Sequence, residues 1–255
     1  MGLNNRRTEI LLLIQEDGHA KVQQLSKIFN VSEVTIRQDL EELEKLGYVQ
    51  REHGGAFLKD VGSFAKSGML FNQAHIEEKK LLAKVAAQFV NDGESIILDS
   101  GSTTTELARC LLMRNNLVVL TNALNIAYIL GENPGISLFL SGGEFKAPTL
   151  SMTGELAAGM FKGFHAEKLF LATAGITLDN LMLTYPSFSD LAVKKAMIKS
   201  SAKVYLLADS SKIGNPSLAN LGSISMINTL ITDSKIAPEV VSKIEALGVE
   251  VIIAE

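Results

Sequence analysis

Hydrophobic residues in the first quarter of the chain recur at the spacing of amphipathic helices. The three apolar faces consist of Ile10, Leu13 and Ile14, of Val22, Leu25, Ile28 and Phe29, and of Ile36, Leu40 and Leu43. Ser32 is a good N-cap for the third helix, and Gly47 follows its end. A short turn between two helices is typical of a helix-turn-helix motif. The segment YVQREHGGAFL then alternates loosely around Gly54 and Gly55, which predicts a small β-hairpin.

The rhythm changes in the rest of the chain, where short apolar runs rich in β-branched residues recur. These runs are SIILD, LVVLT, ISLFLSG, KLFLATAGI, KVYLLADS, NTLITD and VEVIIAE, with helical patterns between most of them, at 79–91, 104–113, 123–131, 188–201 and 237–247. Strands that alternate with helices predict an α/β domain whose mainly parallel sheet is covered on both faces. Residues 58–77 show no clean period and are predicted to link domains at 1–57 and 78–255.

Small polar residues and glycines follow the predicted strands at their carboxyl ends. They are Asp99 to Ser102, Thr121 and Asn122, Ser141 to Gly143, Thr173 to Gly175, and Asp209 to Lys212. Ligands of open α/β sheets bind outside these ends, so the pattern favours a polar ligand site. In IILDSGSTTTE the turn also begins a helix, whose free N–H groups attract anions. Serine, threonine and glycine are good capping residues too, so this stretch alone does not decide between a cap and an anion site.

The turn after the first of these strands suits a single phosphate. It has neither the Gly-Lys-Ser/Thr of a P-loop nor a GxGxxG motif, which disfavours a nucleotide. A sugar phosphate is the simplest ligand that combines one phosphate with several hydroxyls. The predicted effector site consists of Asp99, Ser100, Gly101, Ser102, Thr103, Thr104, Thr121, Asn122, Gly142, Gly143, Lys194, Asp209 and Lys212. Lys212 is the favoured counter-ion of the phosphate, and no metal ion or cofactor is expected.

The third predicted helix presents polar side chains that suit DNA. Its solvent-facing positions near the start are Ser32, Glu33, Thr35, Arg37 and Gln38. Of these, arginine and glutamine favour guanine and adenine edges. The residues predicted to contact phosphates from the flanks are Arg6, Arg7, Arg51 and His53. Residues 1–59 contain eight basic and nine acidic side chains, so a helical protein-interaction module is the alternative.

Composition adds two constraints. The 255 residues include one cysteine, so no internal disulfide is possible and a reducing cytoplasm is the expected location. No early apolar run is long enough to cross a bilayer, so no membrane partner is expected.

The predicted sugar-phosphate site leaves two classes of protein open, a sensor or an isomerase-like enzyme with an accessory N-terminal domain. Isomerisation needs a carboxylate poised to move a proton between carbons, and the sequence shows no clear pair for that role.

The sequence resembles the DeoR family of bacterial sugar-operon regulators along nearly its whole length. The matching motifs are SEVTIRQDL at 32–40, REHGGA at 51–56, LDSGSTT at 98–104, TN at 121–122, GG at 142–143, VKKAM at 193–197 and ADSSK at 208–212. The resemblance implies an N-terminal winged helix-turn-helix and a larger α/β sensor domain similar to ribose-5-phosphate isomerase and coenzyme A transferases. It also implies a homodimeric or homotetrameric repressor of a carbohydrate operon, bound to double-stranded operator DNA and released by a phosphorylated sugar.

One stretch departs from the family pattern. Many members and the related isomerases carry an aspartate in the segment that here has the sequence TAGIT, at the position of Ala174. The missing carboxylate weighs against isomerase activity. The family's usual glutamate ahead of the VK pair is also absent, and Asp190 stands near its position. Tyr185 and Phe188 either line this part of the pocket or simply pack.

Overall fold

The computed structural model describes residues 5–17, 19–52, 54–58, 75–146 and 149–255 of the chain. The chain divides into two units, which lie within residues 1–74 and 75–255. The predicted linker spans the boundary between these units, and most of it lies outside the described residues, as does His53. The predicted domain ends therefore stay a prediction. Within the described part, no helix is long and apolar enough to cross a membrane.

The first unit combines helices with a small antiparallel sheet. Its described elements are α1 (Asn5–Asp17), β1 (His19–Lys21), α2 (Val22–Phe29), α3 (Glu33–Lys45), β2 (Val49–Glu52) and β3 (Gly55–Leu58). The predicted helices and the hairpin of β2 and β3 are confirmed. The sheet has the order β1-β3-β2, so the hairpin gains a strand that the sequence does not predict. Three residues are too few to show a strand period, and β1 is recognisable only by its pairing with β3.

The turn between α2 and α3 confirms the helix-turn-helix motif. Asn30 ends α2 in the left-handed conformation, with a φ of 49°. The Ser32 hydroxyl accepts a hydrogen bond from the Thr35 N–H at 3.2 Å and caps α3 as predicted. The apolar faces of the helices pack together and against the hairpin. Asp39 lies on the buried face of α3 among these apolar residues, a position that the hydrophobic pattern does not indicate.

The second unit is an α/β domain built on a seven-stranded parallel sheet. Its described helices are α4 (Ile76–Ala87), α5 (Ser102–Cys110), α6 (Leu124–Leu130), α7 (Gly154–Phe161), α8 (Phe188–Lys199) and α9 (Pro238–Glu245). Its strands are β4 (Ser95–Leu98), β5 (Leu117–Thr121), β6 (Ile136–Leu140), β7 (Glu144–Lys146), β8 (Ser151–Thr153), β9 (Ala166–Ala172), β10 (Gly175–Ile176), β11 (Met182–Tyr185), β12 (Ser201–Leu207), β13 (Ala219–Ser223), β14 (Thr229–Asp233) and β15 (Glu250–Ala254). The parallel sheet contains all seven predicted strands, in the order β15-β14-β12-β9-β4-β5-β6.

Helices cover both faces of the parallel sheet. Residues of α4, α5 and α6 pack on one face with Ile96 and Phe170, whereas residues of α7, α8 and α9 pack on the other with Ile97 and Leu169. Successive residues of a strand point to opposite faces, and here both faces are buried. This explains why the predicted strands are apolar throughout instead of alternating.

The strand order reverses between β4 and β9. From β4 the chain continues to β5 and β6 on one side of the sheet, and then crosses to β9 and β12 on the other side of β4. The loops at the carboxyl ends of β4 and β9 therefore diverge and leave a crevice between them. The sequence predicts polar residues at these strand ends, and the topology identifies the crevice as the place where they meet.

Several elements near this crevice are not predicted by the sequence pattern. They are α7, the antiparallel pair of β7 and β8, and the strands β11 and β13. The predicted run KLFLATAGI divides into β9 and β10, and β10 pairs with β11. The unpredicted strands have three to five residues, which is too short for a reliable period. Pairing with a distant partner decides their structure, and sequence periodicity does not contain that information.

Gly55 allows β1 and β3 to approach closely, and its substitution tests the hairpin. A Cβ atom at this position would lie 2.4 Å from the Ala20 carbonyl oxygen, which is a backbone atom and does not yield easily. We expect Gly55→Ala to destabilise the first unit by about 1–3 kcal/mol, as overpacking typically does. Faster hydrogen exchange of peptides from residues 19–52 would report the loss.

Gly159→Ala is the matched control, because it adds the same methyl group where no atom lies within 4 Å. It replaces a glycine within α7, so it should preserve or slightly raise the stability of the second unit. If Gly55→Ala exchanges as slowly as the wild type, the close approach of β1 and β3 does not contribute to the hairpin.

Candidate functional site

Asp99 is the central carboxylate of the crevice. It follows β4 directly and is fully buried. Its Oδ1 accepts a hydrogen bond from the Ser100 N–H at 2.7 Å, and its Oδ2 accepts one from the Ala172 N–H at 3.1 Å. Because Ala172 ends β9, the carboxylate connects the two strands at which the sheet order reverses. The prediction that Asp99 lies at the carboxyl end of the sheet is confirmed in position, whereas its role toward a ligand stays a prediction.

Lys194 forms an ion pair with Asp99. Its Nζ donates to Asp99 Oδ1 and lies 3.3 Å from the Ser100 hydroxyl and 5.4 Å from the centre of the Tyr185 ring. Only 5% of the Lys194 side chain is exposed, so both partners have lost most of their hydration. Burial raises the pKa of the Asp99 carboxyl, while the Lys194 ammonium and the N–H bonds of Ala172 and Ser100 act in the opposite direction. The positive charge of Lys194 is therefore largely balanced within the protein.

Asn122 connects the loop after β4 to the loop after β5. Its Oδ1 accepts from the Ser100 N–H at 3.1 Å, and its Nδ2 donates to the Met152 carbonyl at 3.0 Å. The neighbouring Thr121 hydroxyl accepts from the Ala123 N–H at 3.0 Å and is buried in the turn. The structure places Asn122 beside Ser100, and the predicted contact of Thr121 and Asn122 with an effector stays a prediction. The polar atoms of Asn122 hold the neighbouring loops together.

The start of α5 carries the predicted anion site. Gly101 is its N-cap, and a Cβ atom there would lie 2.6 Å from Ala172 Cβ, so glycine lets the helix begin close to β9. The Thr105 N–H donates to the Gly101 carbonyl at 3.0 Å, which leaves the amides of Ser102, Thr103 and Thr104 in the first turn without a partner in the ladder. These N–H groups and the helix dipole favour an anion.

The threonine hydroxyls of this turn have a more local role than the sequence suggests. Thr104 and Thr105 donate their hydroxyls to the Gly101 carbonyl at 3.0 and 2.6 Å, and the Asn125 Nδ2 donates to the Thr105 hydroxyl. The hydroxyls thus cap and anchor the helix start. A ligand at this turn would meet backbone amides first, and the effector role of Thr103 and Thr104 stays a prediction.

Gly142 and Gly143 follow β6 and lie at the rim. The Ser141 N–H donates to the Thr121 carbonyl at 2.9 Å, which keeps this loop beside the loop after β5. Gly143 has a φ of 126°, and a Cβ atom there would lie 2.7 Å from the Thr153 carbonyl oxygen. A side chain is therefore disfavoured at Gly143, whereas Gly142 has open space around it. The predicted contact of these glycines with an effector stays a prediction.

Asp209 and Lys212 occupy the loop after β12. Asp209 is buried, and its Oδ1 accepts from the N–H and the hydroxyl of Ser211. Among the described residues, nothing forms a hydrogen bond with the other carboxylate oxygen, Oδ2. A buried acceptor without a partner is costly, so this oxygen is suited to a donor such as a ligand hydroxyl. Lys212 follows within the same turn, where its N–H donates to the Asp209 carbonyl at 3.0 Å.

Lys79 belongs to this side of the crevice and is not indicated by the sequence. It lies in the first turn of α4 and is buried. Burial, followed by repulsion from Lys212, lowers the pKa of the Lys79 ammonium to about 8, whereas Asp209 and the more distant Glu106 and Glu78 oppose the change. A lysine in a helix pattern is usually a solvated residue, and only the packing of α4 brings Lys79 close to Lys212.

Several charged side chains surround Lys79 at this loop. Glu106 pairs with Arg109 at 3.4 Å and Glu78 pairs with Lys235 at 2.6 Å, so both acids already have cationic partners. Lys212 and Asp209 act on the pKa of Lys79 in opposite directions. An anion in this part of the crevice would relieve the repulsion between the two ammonium groups.

The remaining candidates of the crevice pack or form pairs. Asp190 pairs with Lys146 at 3.1 Å. Tyr185 is buried and donates its hydroxyl to the Ala172 carbonyl at 2.6 Å, and burial keeps the pKa of its hydroxyl well above the usual value. Phe188, by contrast, is 70% exposed. Ala174 follows β9, and its N–H donates to the Thr184 carbonyl at 3.3 Å, so no carboxylate occupies this strand end.

The predicted DNA-contacting residues lie on and beside α3. Arg37 and Gln38 are exposed, and Arg37 Nη2 donates to Glu33 at 2.8 Å across one helical turn. Ser32 and Thr35 form the cap of α3 through their hydroxyls. Arg51 on β2 is exposed, and its N–H donates to Glu44 at 2.8 Å.

The two N-terminal arginines have an internal partner. Arg6 and Arg7 donate their Nε–H groups to the Asp39 carboxylate at 2.6 and 2.8 Å. The sequence predicts a phosphate-contacting role for both and gives no signal of this ion pair. That role stays a prediction.

Solved structures match the chain at a low level of similarity. Ribose 5-phosphate isomerase A from Methanocaldococcus jannaschii is 18% identical over 53% of this chain and 53% of its own, with a TM-score of 0.40. Translation initiation factor eIF-2B from Pyrococcus horikoshii is 13% identical over 90% of this chain and 88% of its own, with a TM-score of 0.46. Neither likeness bears on what the chain does.

Curated relatives match at higher identity and over nearly their whole length. The transcriptional regulator GolR of Listeria innocua is 34% identical over 98% of this chain and 98% of its own. The glycerol-3-phosphate regulon repressor of Escherichia coli is 32% identical over 97% and 96%. The lactose phosphotransferase system repressor of Streptococcus mutans is 34% identical over 91% and 93%.

Two family models account for both units. The DeoR-like helix-turn-helix domain matches residues 6–60, and the DeoR C-terminal sensor domain matches residues 74–234. The first match covers α1 to β3, including the capped α3, and the second covers the crevice at β4 and β9. With the curated relatives, these matches confirm the resemblance that the motifs indicate. The chain belongs to the DeoR family of helix-turn-helix transcriptional regulators.

Proposed function

We propose that the chain is a repressor of a carbohydrate-utilisation operon that a phosphorylated sugar releases from its operator. The observation that carries this proposal is the start of α5, whose first-turn backbone amides lie at the same edge of the sheet as Lys212 and the unpaired Oδ2 of Asp209. Relatives of the chain are named as repressors of a glycerol-3-phosphate regulon, of a lactose phosphotransferase system and of an aga operon. A phosphorylated sugar is the effector class that this combination favours.

On the DNA side, α3 would enter the major groove with its N-terminal half. Arg37 and Gln38 are exposed there, and their side chains match the acceptors and donors of guanine and adenine edges. Arg51 would contact the backbone from the hairpin. A regulator of this kind binds paired half-sites, so we further propose a homodimer or a homotetramer. The cytoplasm, where bacterial DNA is found, is its proposed location.

Arg37 provides the test of this docking. We expect Arg37→Ala to weaken specific operator binding by about 1–3 kcal/mol, because it removes a bidentate base contact. Competition binding against a duplex selected by the wild-type protein from a random library would measure the loss and the changed base preference. Lys45→Ala is the matched control, since Lys45 is another exposed cation of α3 but lies at the opposite end of the helix. Unchanged sequence preference in Arg37→Ala would assign base recognition to another element.

In the effector site, we assign the phosphate to the α5 amides with Lys212 and Lys79 as counter-ions. Lys194 is the weaker candidate, because its charge is balanced by Asp99. The unpaired Oδ2 of Asp209 would accept a hydrogen bond from a sugar hydroxyl. The effector must bind the DNA-free state better than the DNA-bound state, and couplings of this kind are typically about 1–3 kcal/mol.

Lys212→Met tests the counter-ion. Loss of a charge-assisted contact should raise the concentration of sugar phosphate needed for release by about tenfold or more, while operator affinity without effector stays the same. The measurement is fluorescence anisotropy of labelled operator, titrated with a panel of pentose and hexose phosphates. Lys203→Met, at the opposite end of β12, controls for general charge loss. Equal sensitivity of the Lys212 and Lys203 variants, or equal release by the unphosphorylated sugars, would contradict the assignment.

The titration of Lys79 predicts a pH dependence of effector binding. In the free chain the pKa of Lys79 is about 8, and a bound phosphate would raise it because the anion stabilises the ammonium. Binding should therefore take up a proton, and affinity should fall as the pH rises from 8 to 9. Calorimetric titrations at pH 7, 8 and 9 in buffers of different ionisation enthalpy measure both effects. Lys79→Met should bind more weakly at pH 7 and lose this dependence, and a wild-type affinity that is flat across pH 8 would exclude Lys79 as a ligand.

We also propose that the site binds its sugar phosphate without converting it. Ala174 offers no carboxylate where the related isomerases carry one, and Asp190 is engaged by Lys146. The alternative is an isomerase-like enzyme with an accessory DNA-binding domain. Ligand recovered from the titrations decides between them, because conversion into the isomeric sugar phosphate would favour the enzyme.

A further inference from the structure

Val34 is an apolar residue on the outward side of α3. It lies in the first turn of the helix and is 61% exposed. The buried face of α3 consists of Ile36, Asp39, Leu40 and Leu43. Each residue turns an α-helix by about 100°, which places Val34 almost directly opposite the mean direction of that face. Val34 therefore points away from the core of the first unit.

Packing within the described part of the first unit does not account for this valine. The apolar cluster there contains Ile36 in its core and Val31 at its edge, and Val34 is not among its described members. Val31 precedes the Ser32 cap and Ile36 is the fourth residue after it, so these two have the positions of a hydrophobic staple. Valine is also a weaker helix former than alanine, because its branched side chain loses rotamer freedom in a helix. Neither packing nor helix formation explains a valine at this position.

Val34 lies between the two base-reading residues proposed above. Arg37 and Gln38 are exposed, and they follow Val34 by three and four residues. Residues at these spacings are neighbours on a helix surface. Around the helix axis, Arg37 lies about 60° to one side of Val34 and Gln38 about 40° to the other. A helix that presents Arg37 and Gln38 to the major groove therefore brings Val34 against the base edges as well.

The major groove edges of the bases include one apolar group, which is the C5-methyl of thymine. A valine side chain that contacts this methyl group removes apolar surface of both partners from water. Against another base, the same side chain would cover hydrogen-bonding groups without offering them a partner, which is costly. An exposed valine at the centre of a base-reading face is therefore suited to select thymine.

We infer that Val34 is a specificity-determining residue of α3, which recognises the methyl group of a thymine in the operator. The inference rests on the proposed binding of α3 in the major groove. It adds apolar recognition of one thymine to the hydrogen bonds that Arg37 and Gln38 would form with guanine and adenine. The operator half-site should therefore contain a thymine beside the base pairs that these two residues contact.

Deoxyuridine provides the test, because its base differs from thymine only by the absent methyl group. The wild-type protein selects a duplex from a random library, and each thymine position is then replaced by deoxyuridine in every copy of the half-site. At one position we expect binding to weaken about threefold to fivefold per half-site, as removal of one buried methyl-sized group typically does. Val34→Ala should bind the unmodified duplex with a similar loss, and replacement of that same thymine should weaken its binding no further.

Ile28→Ala is the matched control, because Ile28 is an equally exposed apolar residue of the same unit but lies on α2. It should respond to deoxyuridine as the wild type does. Alanine is a good helix former, so Val34→Ala should keep the fold of α3. Equal sensitivity of Val34→Ala and the wild type at every position would overturn the inference, and so would a wild type that no replacement weakens.

Failure of the inference is distinguishable from failure of the proposed function. A wild-type protein that selects no sequence from the library would contradict DNA recognition itself and the role of Val34 with it. If the protein selects a duplex and Arg37→Ala changes the base preference, recognition by α3 stands. Insensitivity of that complex to removal of the methyl groups would then overturn the role of Val34 alone.

Discussion

The buried ion pair between Asp99 and Lys194 is the interaction on which the sensor crevice depends. It joins the end of β4 to α8, and the same carboxylate accepts the Ala172 N–H at the end of β9. A carboxylate without hydration is costly, so its position is fixed by the groups that compensate it. The crevice is open because the strand order reverses at β4 and β9, and this pair keeps its floor in one geometry.

The ion pair also distinguishes Lys194 from the other lysines of the crevice. Lys194 is balanced internally by Asp99, whereas on the other side of the crevice Lys212 and Asp209 act on the pKa of Lys79 in opposite directions. The hydroxyls of the α5 turn are used for capping, and its backbone amides are what the turn presents to a ligand.

The first unit also contains a buried carboxylate that cationic side chains compensate. Asp39 is buried in the core of the helix-turn-helix and is compensated by arginines, whereas Asp99 is compensated by one lysine and two backbone N–H groups. In both units a carboxylate inside the fold determines where cationic side chains lie.

The sequence by itself determined the two-unit organisation, the helix-turn-helix, the seven parallel strands and the strand-end loops, because these follow from local periodicity and from turn chemistry. It also placed Asp99, Asn122 and Asp209 at one edge of the sheet, since parallel strands align their carboxyl ends. Only the tertiary structure decided which charges meet. Lys79 and Asp39 look like ordinary helix residues in sequence, and the partners that make them significant are distant along the chain. Short strands such as β1 and β7 likewise exist because of their pairing partners, so no local pattern contains them.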